Sequence, residues 1–245
     1  MLVPMEIRTS QVQVKTPDGV MPAYLAEPTA PGRHPAVIVV MEAFGLNHNI
    51  EEISRRIAGE GYVALAPDVY YRWPDNKARY DELPKAIGLM QKLDDKKIVA
   101  DVGAALDFLA ARPNVNAAKT GITGFCMGGT VALLMDTERD FGAAVTFYGG
   151  GVKEGRFGFP PLVEAAPRLR APWLGLFGDK DTGIPVDQVE ELRAAAATSG
   201  VTTEIVRYAE AEHGFHCDQR ASYHAESARD GWRRTLEWFG RYLTA

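Results

Sequence analysis

The chain has 245 residues, 46% apolar and 24% charged, with a net charge of −5. That length and balance fit one soluble α/β domain over residues 1–245, and the negative charge gives no reason to expect nucleic acid or an anionic membrane surface as partner. Two cysteines without a spaced framework argue for a reducing compartment. No apolar run approaches a membrane span, and MLVPMEIRTSQ lacks the layout of a signal peptide, so a cytoplasmic protein is expected.

Residues 11–15 and 21–26 alternate apolar and polar side chains around Thr16-Pro17-Asp18-Gly19, which reads as an antiparallel edge hairpin. Residues 36–41 (AVIVVM) are continuously apolar and β-branched, as in a strand buried on both faces. Glu42-Ala43-Phe44-Gly45-Leu46-Asn47 follows, then a helix with Asn49 placed to cap it and Ile50, Ile53 and Ile57 on one face. Gly61 ends that helix, and residues 62–66 form the next strand. An aromatic, Pro-containing loop at 67–80 carries Arg72, Trp73 and Arg79. Helical pattern returns over 83–93 and 94–112 and stops before Pro113.

A short apolar run at 120–123 leads into Gly124-Phe125-Cys126-Met127-Gly128, with an apolar helical pattern behind it. This is the G-x-S-x-G nucleophile elbow with Cys in place of Ser. A nucleophile on a tight strand-to-helix turn leaves no room for side chains two before and two after it, and Gly124 and Gly128 remove them. The helix end behind Cys126 favours a thiolate and offers the Met127 amide to an oxyanion. The bland alternative is that Cys126 is a small buried hydrophobe. Dinucleotide and phosphate loops fail on spacing, since Cys126 stands where a second Gly is needed and no Lys precedes Thr130.

Strands follow at 143–148, 173–177 and 203–208, separated by a Gly/Pro-rich loop at 149–167 and a helix at about 186–199 capped by Gly200. A helix over 222–243 closes the chain. Strands and helices therefore alternate after the hairpin, the pattern of a mostly parallel sheet with helices on both faces and no inserted cap domain. In such sheets the site lies at the carboxyl ends of the strands. Glu42, Cys126, Asp181 and His213 each fall just after an expected strand.

The order Cys126, Asp181, His213 is that of nucleophile, acid and base in α/β-hydrolases. Asp179 competes with Asp181 for the acid, and His216 with His213 for the base. Glu42 can equally be a loop carboxylate paired with an Arg.

The sequence resembles the dienelactone hydrolase (carboxymethylenebutenolidase) family of the α/β-hydrolase superfamily. The matching stretches are Glu42-Ala43-Phe44-Gly45, Pro67-Asp68-Val69-Tyr70, Gly124-Phe125-Cys126-Met127-Gly128-Gly129, Phe147-Tyr148-Gly149, residues 178–181 and His213-Gly214-Phe215. They cover nearly the whole chain in order. The resemblance implies Cys126 as nucleophile, His213 as base, Asp181 as its orienter and the amides of Ala43 and Met127 as oxyanion hole. It implies that Glu42 meets the resting thiol and moves when an anionic substrate binds. Arg79, Arg72, Phe44, Tyr148 and His216 are the substrate-binding residues it suggests, for a cyclic enol ester bearing a carboxylate and arising in aromatic degradation. Where the better-known members carry an Arg soon after the catalytic His, this chain has His216-Cys217, with Arg220 further on. No metal or organic cofactor is needed, and a monomer or small homo-oligomer is expected.

Two other readings stay open at this level. One is a general small carboxylesterase or thioesterase on the same scaffold. The other is a metal-binding module built on the donor-rich run His213, His216, Cys217 and Asp218. A disulfide between Cys126 and Cys217 is a further option.

Overall fold

The computed structural model describes residues 5–244, so the first four residues of the N-terminal stretch discussed above lie outside it. Eight strands form one sheet: β1 (Ile7–Thr16), β2 (Gly19–Pro28), β3 (His34–Val40), β4 (Val63–Pro67), β5 (Val115–Phe125), β6 (Ala143–Phe147), β7 (Trp173–Gly178) and β8 (Thr203–Tyr208). Their spatial order is β1-β2-β4-β3-β5-β6-β7-β8. β1 pairs antiparallel with β2 about the two-residue turn Pro17-Asp18, and β2 pairs antiparallel with β4. From β4 to β8 every neighbouring pair is parallel. This is the mostly parallel sheet with an antiparallel edge hairpin that the sequence pattern implies.

Burial separates the two kinds of strand. β1 is largely exposed, with Val14 turned to the core, whereas β4, β6 and β7 are buried at every residue. A strand buried throughout needs cover on both faces. That cover comes from α1 (His48–Gly59), α2 (Leu83–Met90), α3 (Asp95–Ala110), α4 (Met127–Glu138), α5 (Leu162–Ala165), α6 (Val186–Ala196) and α7 (Ala225–Leu243).

Asn47, rather than Asn49, caps α1: its side-chain oxygen accepts from the Ile50 amide at 3.2 Å. Asn49 sits inside the first turn and is buried. Ile50, Ile53 and Ile57 fill the inner face as their spacing requires. Asp94 caps α3 in the same way, accepting from Lys97. The Gly/Pro-rich segment expected to be a loop holds α5 and a 3-10 turn (Ala166–Arg168). Elements of four and three residues are too short to show a helical period. The helix ends near 83–93 and 186–199 come earlier than expected, at Met90 and Ala196.

A buried polar chain ties the sheet to the helix behind the elbow. The Trp173 indole donates to Thr146 Oγ1 at 3.0 Å, and the Thr146 hydroxyl donates to the Gly129 carbonyl at 3.0 Å. Each such bond adds about 1 kcal/mol net and costs more to leave half-made. Together they fix β7, β6 and the first turn of α4 in one register.

Candidate active site

β3, β5, β7 and β8 run parallel, so their carboxyl ends meet at one edge. Glu42 lies two residues past β3, Cys126 directly after β5, Asp181 three past β7 and His213 five past β8.

Cys126 caps α4 with φ 56° and ψ −118°, a left-handed backbone strained for any non-glycine residue. The strain is held by the Cys126 amide donating to the Phe147 carbonyl at 3.1 Å, and by the Gly129 and Thr130 amides donating back to the Cys126 carbonyl. The two elbow glycines are required by close approach. A Cβ on Gly124 would overlap the Gly128 carbonyl, and one on Gly128 would overlap the Val40 carbonyl at the end of β3. The elbow thus presses against the neighbouring strand and leaves the Cys126 side chain facing the edge. Met127 is the first residue of α4, and its amide has no intrahelical acceptor.

His213 Nδ1 lies 2.6 Å from Asp181 Oδ2, and Asp181 Oδ1 accepts from the Gly183 amide at 2.9 Å. The Cys126 sulfur lies close enough to His213 for each to shift the other's ionisation. Burial pushes the thiol up, but the neighbouring His213 charge and hydrogen bond outweigh it and hold Cys126 below its ordinary value of 9.0. Burial likewise opposes the imidazolium, and the Cys126 thiolate with the Asp181 hydrogen bond overrides it, raising His213. The two shifts are coupled, the thiolate and the imidazolium each favouring the other. Asp179 is elsewhere engaged, gripped by Arg207 through Nε at 2.7 Å and Nη2 at 2.9 Å.

Glu42 is fully buried. Its Oε1 accepts from Arg220 Nη1 at 3.2 Å and its Oε2 from the Tyr80 hydroxyl at 3.3 Å. Burial raises the carboxyl, against the pull of Arg220, His213 and Tyr80. Glu42 acts on the Cys126 sulfur through its charge, disfavouring the thiolate, while its hydrogen bonds go to Arg220 and Tyr80.

The expected substrate-binding residues divide. Phe44 and Tyr148 are at the site: Phe44 packs edge-on against Tyr80 at 4.7 Å, and Tyr148 against the His213 ring at 5.1 Å. Tyr148 is buried with φ 40°, and its hydroxyl has no hydrogen-bond partner among the described residues. Arg79 and Arg72 point elsewhere. Arg79 is exposed and pairs with Asp81 and Glu82, while the next residue, Tyr80, turns inward. Arg72 makes a two-point bond to buried Asp101, at 2.6 and 2.9 Å, and a third to Asp18. His216 packs beneath the elbow against Phe125, Phe147 and Trp232, and burial lowers it to about 3, so it stays neutral.

The arginine that reaches the site is Arg220. Gly214, directly after His213, makes room for it: a Cβ there would strike the Arg220 guanidinium. That Gly, with φ +83°, was the sequence signal for a close approach in this loop. The donor-rich run 213–218 does not converge, since His216 is among rings, Cys217 bonds Tyr80 and Asp218 is exposed. Among the described residues no group of three His, Cys, Asp or Glu is arranged to hold a metal. Both cysteines are free.

The model of the dienelactone hydrolase family matches residues 21–243. The chain belongs to the dienelactone hydrolase family. A candidate carboxymethylenebutenolidase of Yersinia pestis is 41% identical over 226 residues, covering 91% of this chain and 84% of that protein. A candidate 2-oxo-3-(5-oxofuran-2-ylidene)propanoate lactonase of a Bradyrhizobium species is 33% identical over 216 residues, 87% of this chain and 86% of that one. The crystal structure of a candidate dienelactone hydrolase from Klebsiella pneumoniae subsp. pneumoniae superposes with a TM-score of 0.89 at 42% identity, covering 97% of this chain and all of that one. The fold is the α/β-hydrolase fold of this family, and the chain is a dienelactone hydrolase-like hydrolase acting on ester or lactone bonds.

Proposed function

We propose that the protein is a cysteine hydrolase of anionic enol lactones, working through a Cys126–His213–Asp181 triad and an acyl-thioester. The observation that carries this reading is the 2.6 Å contact of His213 Nδ1 with Asp181 Oδ2, beside an elbow cysteine whose thiolate the same ring favours. Asp181 fixes the ring tautomer, so that the nitrogen facing the sulfur is the one that exchanges a proton with it.

The thiolate attacks the lactone carbonyl carbon. The oxyanion falls to the amides of Met127 and Ala43, each such donor worth about 3 kcal/mol. Collapse breaks the carbonyl–oxygen bond and expels the ring oxygen as an enolate, a good leaving group. The product half stays on sulfur as a thioester. The His213 imidazolium passes its proton to the enolate and becomes neutral. His213 then takes a proton from water as that water attacks the thioester, and collapse releases the acid and restores the thiolate beside the imidazolium.

Arg220 is the group for the substrate carboxylate. It is the cation held beside Glu42 at the site, and a guanidinium offers a carboxylate two parallel donors. A carboxylate arriving there competes with Glu42 for Arg220 and frees Glu42 to move. The proposal treats residues 1–245 as one catalytic domain, supported by the single eight-stranded sheet. It places the protein in the cytoplasm, in keeping with two free thiols.

Hydrolysis of a dienelactone and of a neutral aryl acetate by wild type and Arg220→Ala tests this reading. The expected result is lactone turnover that falls about 100-fold in Arg220→Ala, mainly through KM, and a smaller fall for the aryl acetate, which loses only the help Arg220 gives the thiolate. Aryl acetate turnover with no lactone turnover in wild type would keep a cysteine esterase and reject the anionic lactone.

A further inference from the structure

Glu42 has a second partner whose own surroundings the mechanism above leaves unused. The Tyr80 hydroxyl that donates to Glu42 Oε2 also accepts from Asn47 Nδ2 at 3.1 Å and from the Cys217 sulfur at 3.2 Å. A phenol carries one hydrogen and acceptor lone pairs. With an amide and a thiol donating into the lone pairs, its one hydrogen is left for Glu42.

We propose that Cys217 is a positioning residue for the catalytic centre: its thiol, with the Asn47 amide, aims the Tyr80 hydroxyl hydrogen at Glu42 and so favours the carboxylate form of that buried side chain. The inference rests on the reading of Cys126 as nucleophile. It deepens that reading by assigning a role to the second cysteine, which the triad leaves unused.

The placement supports it. Cys217 is fully buried, and burial with the Glu42 charge beside it pushes its thiol up to about 11, so it stays a protonated donor at neutral pH. The Cys217 amide donates to the Gly214 carbonyl, which fixes the residue in the same turn that carries His213 and Arg220. Tyr80 is held from the other side by the Phe44 ring. The groups that feel Glu42 are Arg220, His213 and Tyr80, which stabilise or accompany its charge, and Cys126, Cys217 and Tyr148, whose ionisation that charge opposes.

The consequence is a set point for the nucleophile. An ionised Glu42 disfavours the Cys126 thiolate, and Arg220 and His213 favour it. Without the Cys217 donor the Tyr80 hydrogen loses its fixed aim, Glu42 takes up a proton more readily, and the opposition to the thiolate weakens. The Cys126 thiolate then persists to lower pH.

The test is the pH profile of iodoacetamide alkylation, followed by mass spectrometry on the peptide carrying Cys126, for wild type, Cys217→Ala, Cys217→Ser and Tyr80→Phe, each also in a Glu42→Gln background. Cys217→Ala and Tyr80→Phe are expected to move the midpoint down by about 0.3–1 pH unit, the size of losing one hydrogen bond to a buried charge. Cys217→Ser keeps a donor and is expected to overlay wild type. In the Glu42→Gln background neither substitution is expected to move the midpoint further. Should Cys217→Ala not fold, Tyr80→Phe and Cys217→Ser carry the same comparison. An unshifted profile in Cys217→Ala or Tyr80→Phe, an upward shift, a Cys217→Ser profile shifted like Cys217→Ala, or a shift that survives Glu42→Gln each overturns the proposal. Hydrolysis that persists after full alkylation of Cys126 would instead overturn the nucleophile reading, whatever the profiles do.

Discussion

Asp181 Oδ2 lies 2.6 Å from His213 Nδ1, while Asp179, two residues earlier in the same loop, is clamped by Arg207. One carboxylate holds the His213 ring and the other locks β8 to the loop after β7. Asp181→Asn is therefore expected to lower kcat by about 10⁴, as in triads whose acid becomes an amide and holds the wrong tautomer. Asp179→Asn is expected to leave kcat within a few-fold and to lower stability instead. Steady-state kinetics and thermal melts on both variants separate the two roles, and a reversed pattern would make Asp179 the acid.

The coupling between Cys126 and His213 gives Cys126 a pH dependence. Its thiol is held below 9.0 by His213 against burial. In His213→Asn the larger of the two groups opposing burial is gone and Arg220 alone remains, so the midpoint for alkylation is expected to rise. At pH 7 the rate falls by about 10-fold or more, following the thiolate fraction. A profile unchanged in His213→Asn would mean that the imidazole does not activate the sulfur.

The elbow glycines are set by space. Gly128→Ala would place a methyl on the Val40 carbonyl, backbone that cannot swing away. Its expected cost is ~3 kcal/mol or more, or loss of soluble protein. Gly240 in α7 has nothing within 4 Å of an added Cβ, and Gly240→Ala is expected to raise stability by up to about 1 kcal/mol. Denaturant melts of the two variants check both signs.

Much of this site was legible in the sequence because the α/β alternation sends four chemically suited residues to one sheet edge. Gly124, Cys126 and Gly128 announce the elbow through backbone demands that apply wherever that turn occurs. Loops obey no such period. The choice between Asp179 and Asp181 needed the Gly183 amide and the Arg207 guanidinium to be placed. Arg79 looked suited to an anion, yet Asp81 and Glu82 draw it outward, and its neighbour Tyr80 faces in. Arg220 stands seven residues after His213 in sequence and reaches Glu42 only because Gly214 leaves the path open. His216 has the chemistry of a base but the surroundings of a core residue.

Asp136 offers a stability test away from the chemistry. It is fully buried, with Oδ1 accepting from the Ala171 amide at 3.1 Å and Oδ2 without a partner. Burial outweighs the backbone donors of Ala171 and Arg170 and raises its carboxyl from 3.8 to about 8. The folded value lies above the unfolded one, so the stability tied to it is fully present below 3.8 and is lost as pH rises through about 8. Asp136→Asn stays neutral throughout. Its Tm relative to wild type is expected to improve between pH 5 and pH 9, by about 2–4 °C for each 1 kcal/mol relieved. A difference independent of pH would mean that Asp136 is ionised at both.

The central claim is that Cys126 carries the acyl group. Rapid acid quench of the enzyme turning over a dienelactone, followed by peptide mass spectrometry, reads this directly. The account predicts the added mass of the ring-opened acyl group on the peptide containing Cys126, removable by hydroxylamine, and absent in Cys126→Ala, which no longer hydrolyses the lactone. Full turnover by Cys126→Ala, or an acyl group found on another residue, would contradict it.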